Sequence, residues 1–156
     1  MRKITLWASM LCIGMQLQAK DFYVTPAGAG DGTSWATPTT LQLALNQSAE
    51  GDVIRLAKGV YVPTVITGEG ITDERAKTFY ITKSVTLEAG YSENPTATEQ
   101  PNTKVNKATL SGVLNTTPMT KAYHLLCVNT STTVGEGEAA TDVPSKVPVV
   151  LKGLIL

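Results

Sequence analysis

The spacing of apolar positions predicts one helix near the start of the chain. Thr39 or Thr40 can cap its first turn, because a threonine hydroxyl accepts a hydrogen bond from a free backbone N–H there. Gly51 lies just past its end, where glycine is common. The apolar residues recur at helical spacing: Leu41, Ala44, Leu45 and Ala49. No other segment has this pattern, so we expect a single helix.

Short β-like runs make up most of the remaining chain. Phe22 to Thr25 predicts a first strand, which ends at Pro26. From Asp52 onward, short apolar runs are bounded by Gly, Asn, Pro or Lys. We expect strands at residues 53–56, 60–62, 78–81, 84–87, 108–111, 123–128 and 147–156.

This arrangement predicts an all-β protein. The strands follow one another too closely for crossover helices, which excludes a doubly wound α/β fold and leaves a sandwich or a solenoid. Most gaps between the stronger runs are near the length of one solenoid coil. The polar stretches Ser92 to Lys107 and Asn129 to Pro148 favour a solenoid, where insertions project from a coil.

The last eight residues, Val149 to Leu156, are the most apolar part of the chain after the leader. An apolar strand needs a neighbour on its open edge, and solenoids usually end in polar caps. We therefore expect the chain to be the N-terminal portion of a longer protein, or a truncated reading frame, ending after the first few coils.

The first nineteen residues have the pattern of a secretory signal peptide. Arg2 and Lys3 precede an apolar run from Ile4 to Met15, which is shorter than the roughly twenty residues that span a bilayer. Ala19 lies where a small residue precedes cleavage, so we expect Lys20 to begin the mature chain. The domains are then residues 1–19 and 20–156, and the mature chain is exported with no transmembrane span.

Charge and cysteine content exclude several classes of protein. Thirteen basic residues balance thirteen acidic ones, so the chain lacks the basic surface that binds nucleic acid. Cys127 is the one thiol after the leader, which leaves no internal disulfide. Its apolar setting predicts a buried structural thiol. His124, three residues earlier on the same expected strand, should face the opposite side.

Candidate binding residues are few. Asp73, Glu74 and Arg75 form a charged cluster that suits a sugar acid or Ca²⁺, or else a solvated loop. Tyr91 suits stacking on a sugar ring, although strand aromatics are more often core residues. The same alternatives apply to three further tyrosines: Tyr61, Tyr80 and Tyr123. The glycines at 28, 30 and 32 are not followed by the residues of a phosphate-binding loop, so we expect no nucleotide site.

Several segments occur in an order that resembles a known family. They are residues 22–26, 30–36, 41–45, 51–61, 85–91, 108–112, 123–126 and 150–155. In this order they resemble the start of secreted right-handed parallel β-helix proteins. These are the pectate-lyase-like proteins of Bacteroides-type bacteria, a superfamily that includes enzymes similar to chondroitinase B.

The resemblance implies a β-helix closed at its beginning by the helix, which would bury Leu41, Leu45 and Trp35 at the end of the stack. Lyases of this superfamily use Ca²⁺ and basic residues to neutralise a uronate, and a lysine as base. Their catalytic groups lie several coils further on, so the resemblance assigns no catalytic or metal-binding residue here, and a Ca²⁺ requirement would belong to the full-length protein.

Three functions follow from these expectations. The first is a secreted or cell-surface protein, itself non-catalytic, that binds polysaccharide or a host surface. The second is the N-terminal part of a uronate-specific polysaccharide lyase. The third is a surface adhesin or structural repeat protein.

Overall fold

The computed structural model describes residues 18–134, 141–144 and 148–156. In these ranges it contains one α-helix, α1 (Leu41–Gln47), and one short 3-10 helix, η1 (Glu74–Ala76). The strands are β1 (Asp21–Val24), β2 (Val53–Ala57), β3 (Gly59–Tyr61), β4 (Phe79–Ile81), β5 (Thr86–Tyr91), β6 (Ala108–Leu110), β7 (Val113–Thr116), β8 (Met119–Lys121), β9 (Leu126–Val128), β10 (Ser131–Val134), β11 (Thr141–Pro144), β12 (Val150–Lys152) and β13 (Leu154–Ile155).

Helix α1 forms where the apolar spacing predicts it. The Thr40 hydroxyl accepts a hydrogen bond from the Leu43 N–H at 3.3 Å, which confirms Thr40 as the N-cap. Leu41 and Leu45 are buried against β1, β2 and β4. The helix ends at Gln47, two residues before the last apolar position of the pattern, and the Ser48 N–H closes its final turn on the Ala44 carbonyl.

The largest sheet contains four parallel strands in the order β1-β2-β5-β12. Alternate residues of its strands point into the core, as the period of a strand requires. Two rows of buried side chains result, each in register across three strands: Phe22 with Ile54 and Leu87, and Val24 with Leu56 and Ala89. The residues between them lie on the outer face of the sheet.

Two further parallel sheets contribute to the same core. One has the order β3-β6-β13, and the other pairs β4 with β9. Three times the chain passes from a strand of the large sheet to a strand of the β3-β6-β13 sheet. These passages run from β2 to β3, from β5 to β6 and from β12 to β13. Buried residues from all three sheets pack together, among them Tyr61, Phe79, Ile81 and Leu110.

Two antiparallel hairpins accompany the parallel sheets. β7 pairs with β8, and β10 pairs with β11. The polar stretch at residues 129–148, expected to be a projecting loop, contains β10 and β11, two segments with Thr and Val residues that pair with each other. The described part of the chain is therefore all-β with one α-helix, and its sheets are small: three are parallel and two are antiparallel.

The apolar run at residues 147–156 forms two strands rather than the single strand predicted. Gly153 separates β12 from β13 with a φ of 69°, a conformation that glycine adopts readily. A Cβ atom there would lie 2.1 Å from Cγ2 of Thr103, so the turn also requires a residue without a side chain. Leu151 is on β12 and Leu154 is on β13, and the two residues consequently belong to different sheets.

Candidate functional site

A row of charged residues crosses the outer face of the large sheet. Arg55 on β2 bonds Asp21 at 3.1 Å and Glu88 at 2.9 Å, and Lys152 lies 3.6 Å from Glu88. These residues are on four neighbouring strands, β1, β2, β5 and β12. Because the guanidinium of Arg55 already bonds two carboxylates, this row holds the strands in register and leaves that cation little capacity for a ligand.

Tyr91 reaches the same outer face because β5 contains an irregularity. The register of β2 and β5 shifts between Leu56 and Ala57, and Gly90 has a φ of 122°. An extra residue in a strand reverses the alternation that follows it, so Tyr91 shares a face with Glu88. The Tyr91 hydroxyl donates to Glu88 at 2.9 Å and accepts a hydrogen bond from Arg55.

Tyr91 is only 1% exposed, because Trp35 covers it. The two ring centroids are 5.1 Å apart. Burial raises the pKa of the Tyr91 hydroxyl. A sugar therefore cannot stack on Tyr91 in this conformation, and the exposed aromatic surface at this position is that of Trp35.

Trp35 is half-buried and lies outside the core cluster. Its ring meets that of Tyr23 edge-on, with centroids 4.9 Å apart and planes at 70°. The expectation that Trp35 is buried beneath the helix at the end of the stack is therefore wrong. Since Phe22 and Val24 point into the core, Tyr23 is on the outer face, and Trp35 joins it there.

The loop that carries Trp35 is folded back on itself. The N–H groups of Gly30 and Gly32 donate to the carbonyls of Pro38 and Thr37 at 2.7 and 2.8 Å. Asp31 accepts hydrogen bonds from the Thr33 N–H at 3.0 Å and from the hydroxyl groups of Thr33 and Thr37. These bonds lower the pKa of Asp31 to about 2, and the bond from the Thr33 N–H contributes most to that change. Gly28, Gly30 and Gly32 are thus part of a loop that hydrogen bonds close.

Trp35 forms one wall of a groove of about 430 Å³. The rest of the groove is made of residues from the Trp35 loop, the β2–β3 turn and the segment after β5: Thr25, Pro26, Ala27, Pro38, Lys58, Gly59, Glu93, Asn94 and Pro95. An indole ring beside a lysine, a carboxylate and an amide provides both stacking and hydrogen bonding, which is the composition of a small-molecule site.

The polar residues of the groove are held by backbone contacts. The Lys58 N–H donates to the Tyr91 carbonyl at 2.8 Å, which places Lys58 directly after the irregularity in the sheet. Glu99 accepts from the Ser92 N–H at 2.5 Å and from its hydroxyl at 2.8 Å, closing the loop that carries Glu93 and Asn94. The bond from the Ser92 N–H is the main reason that the pKa of Glu99 is lowered.

The charged cluster at Asp73 and Arg75 lies in a different part of the chain, around η1. Asp73 caps η1 through the Arg75 N–H at 2.9 Å and accepts from the Tyr123 hydroxyl at 2.9 Å, and both bonds lower its pKa. Arg75 lies 4.2 Å from the Tyr123 ring centroid, and Glu74 pairs with Lys77. Asp73, Glu74 and Arg75 are thus bonded to protein groups and solvent-exposed, as a loop of this charge would be.

His124 and Cys127 both line a cavity of about 360 Å³. The expectation that they face opposite sides fails because β9 begins only at Leu126, so strand alternation does not extend to His124. Cys127 is half-buried, and its sulfur lies 3.6 Å from the Thr78 hydroxyl oxygen. The remaining walls are largely apolar, with Ile71, Ala76 and Tyr123 among them.

The expected signal peptide falls mostly on residues 1–17, outside those that the structure describes. Ala19 and Lys20 are described and exposed, directly before β1. No helix in the described ranges is long and apolar enough to cross a bilayer. Across the same residues, no three His, Cys, Asp or Glu side chains are grouped so that they could hold a metal ion.

The groove residues Trp35, Lys58, Glu93 and Asn94 come from three separate segments. No sequence signal joins Trp35 to Lys58 or to Asn94. Comparison with known proteins adds no candidate, since no family model, curated protein or solved structure matches the chain.

Proposed function

We propose that this chain is the beginning of an exported right-handed parallel β-helix that binds acidic polysaccharide in the groove beside Trp35. The repeated passage from the large sheet to the second one, through β2 and β3, β5 and β6, and β12 and β13, supports the fold. Each passage would be part of one coil. Helix α1, packed on β1, would cover the first coil.

One observation carries the binding function: Trp35 is fixed against two other rings while part of its surface remains open to a groove that contains Lys58. A sugar ring has an apolar face that suits an indole, and a rigid aromatic loses little entropy when it is covered. Lys58 suits the carboxylate of a uronic acid, and Asn94 suits its hydroxyl groups.

The expected leader places this groove outside the cytoplasm, in the extracellular space, at the cell surface or in the periplasm. Polysaccharides of a host surface or of the cell envelope are accessible partners there. A groove open to solvent suits a polymer better than a closed pocket does, because a chain of sugars can extend beyond it.

A uronate-specific polysaccharide lyase is the second candidate. It is favoured by Arg55 and Lys152, which place two cations on the outer face of the large sheet. In this chain both cations bond Glu88, so a substrate carboxylate would have to compete with an existing ion pair. Binding without cleavage is therefore the function that the described residues support better.

Affinity electrophoresis of the exported, processed protein through gels containing pectate, alginate, chondroitin sulfate or neutral dextran tests this proposal. We expect retardation by at least one uronate polymer and none by dextran. Trp35→Ala should abolish retardation, and Lys58→Gln should weaken binding roughly two- to fivefold. Lys83→Gln, at an exposed position outside the groove, is the matched control and should bind normally.

The same samples separate the two candidates, since a lyase produces an unsaturated product that absorbs in the ultraviolet. Retardation without new absorbance supports a binding protein. New absorbance that disappears in Arg55→Gln supports the lyase. Equal mobility in all four gels would contradict the proposed binding function.

A further inference from the structure

A buried carboxylate lies next to the beginning of β1. Asp52 is 5% exposed, and its two oxygens accept hydrogen bonds from the backbone N–H groups of Lys20 and Ala49, both at 2.8 Å. Among the residues that the structure describes, Asp52 forms no ion pair with a Lys, Arg or His side chain. A carboxylate removed from water is most stable when a positive charge compensates it.

The backbone of Lys20 is held in place by the sheet. Its carbonyl accepts from the Val53 N–H at 3.0 Å, which extends the pairing of β1 with β2 by one residue. Its side-chain nitrogen lies 4.5 Å from the Phe22 ring centroid. The backbone nitrogen of Lys20 is therefore fixed beside Asp52, although Lys20, like Gln18 and Ala19, is exposed as a whole residue.

We infer that removal of the leader completes an ion pair between the new α-ammonium group of Lys20 and the buried carboxylate of Asp52. A leader peptidase would hydrolyse the Ala19–Lys20 peptide bond with one water molecule. Ala19 would leave with the new carboxylate, and the Lys20 nitrogen would keep its position and become an ammonium group. This inference rests on the proposed export and gives the cleavage a structural consequence.

The physical effect follows from the change of donor. Before cleavage, the Lys20 nitrogen is a neutral amide with one N–H; afterwards it carries a full charge and three N–H bonds. The charged groups on the segments around this junction are the Lys20 side chain, Asp21, Glu50 and Arg55. Arg55 bonds Asp21, and Glu50 accepts from the Ser84 N–H at 3.3 Å, so neither acid replaces Asp52 in its contact with Lys20.

The ion pair gives processed protein a distinctive pH dependence. An α-amino group has a pKa of about 7.7–8.0 in an unfolded chain, and a neighbouring carboxylate raises it in the folded state. The stabilisation is therefore complete below about pH 8 and is lost as the pH rises through the folded-state pKa. Other groups contribute to the pH dependence of stability as well, so a matched protein that differs only at this junction is required for comparison.

An insertion of Gly-Ser between Ala19 and Lys20 supplies that comparison. If cleavage follows Ala19 in both the natural protein and the insertion variant, the Lys20 backbone nitrogen of the variant remains an amide. The intact mass of each protein identifies its first residue. At pH 6 we expect the thermal midpoint of the natural form to be about 2–4 °C higher. The difference should disappear by about pH 10 and should be absent at every pH when both proteins carry Asp52→Asn.

Equal thermal midpoints at pH 6, or an exported protein that begins at a residue other than Lys20, would overturn the inference. If Asp52→Asn does not fold, the natural protein and the Gly-Ser insertion, which both retain Asp52, can still be compared with each other. Affinity electrophoresis of the same preparations distinguishes the two proposals. Normal polysaccharide binding with equal midpoints refutes the ion pair alone, whereas a midpoint difference without binding refutes the polysaccharide function alone.

Discussion

Trp35 lies edge-on against Tyr23, with 4.9 Å between their ring centroids. Tyr23 is in the middle of β1, between the buried Phe22 and Val24. The packing of the core therefore fixes the position of Tyr23 on the outer face of β1, and its ring contacts Trp35, which forms one wall of the groove. The position of the exposed indole depends on residues that no ligand touches.

Replacing Tyr23 should loosen Trp35 without unfolding the protein. Tyr23→Leu removes the edge-to-face contact, which is worth about 0.5–1.5 kcal/mol beyond buried area. Within residues 20–156 Trp35 is the only tryptophan, because Trp7 lies in the expected leader. We expect its emission to shift to longer wavelength as water reaches the ring. Tyr123→Leu, in the cluster with Asp73, should leave that emission unchanged.

Two leucines of α1 test how the helix is packed. Leu45 is 3% exposed against the core, whereas Leu43, two residues earlier, is 41% exposed. Leu45→Asp places a charge in the apolar core and should lower the free energy of unfolding by about 4 kcal/mol or more. Leu43→Asp should change it by less than about 1 kcal/mol. Urea denaturation of both variants measures the difference, and similar losses would contradict the observed packing.

The irregularity in β5 should be sensitive to one methyl group. A Cβ atom on Gly90 would lie 2.9 Å from the Asn102 nitrogen, and its φ of 122° disfavours any other residue. We expect Gly90→Ala to reduce stability by about 1–3 kcal/mol and to disturb Tyr91.

Gly51→Ala is the control for the change at Gly90, since Gly51 has a φ of 87° but no atom within 4 Å of the added carbon. Gly51→Ala introduces backbone strain without a steric clash and should lower the free energy of unfolding by about 1 kcal/mol. Thermal unfolding measures the stability of both variants. A smaller loss of stability in Gly90→Ala than in Gly51→Ala would contradict the close approach of Asn102 to Gly90.

The Trp35 loop should weaken in acid. The folded-state pKa of Asp31 is about 2, below its ordinary value of 3.8. Its stabilising effect is therefore complete above about pH 4 and is lost as the pH falls towards 2. Asp31→Asn should lower the thermal midpoint at pH 6 and should flatten its decline between pH 4 and pH 2. An unchanged midpoint at pH 6 would show that the threonine bonds contribute little.

Much of the fold follows from local patterns. Thr40 and the spacing of Leu41, Ala44 and Leu45 specify α1, and most predicted strands form within a few residues of their expected positions. Two of the departures occur where glycine changes the backbone. Gly153 divides one apolar run between two sheets, and the Gly90 irregularity turns Tyr91 outward. Neither effect can be deduced from hydrophobicity, because both depend on contacts with distant residues.

The groove was harder to predict than the strands. Its residues belong to three segments that are far apart in the sequence, around Trp35, Lys58 and Asn94. These segments come together only in the folded chain. The resemblance to β-helix proteins implied a buried Trp35 at the end of the stack, and the tyrosine chosen as a candidate for sugar stacking was Tyr91, which Trp35 covers. The alternation along β1 placed Tyr23 on the outer face but gave no sign that Trp35 packs against it.

Fluorescence titration of processed protein with a uronic acid oligosaccharide measures binding at Trp35 directly. We expect a saturable change in Trp35 emission, weakened roughly two- to fivefold by Lys58→Gln and unaltered by Lys83→Gln. A neutral oligosaccharide of the same length should bind more weakly. Emission that stays constant with every uronate tested, while the protein remains folded, would contradict polysaccharide binding in this groove.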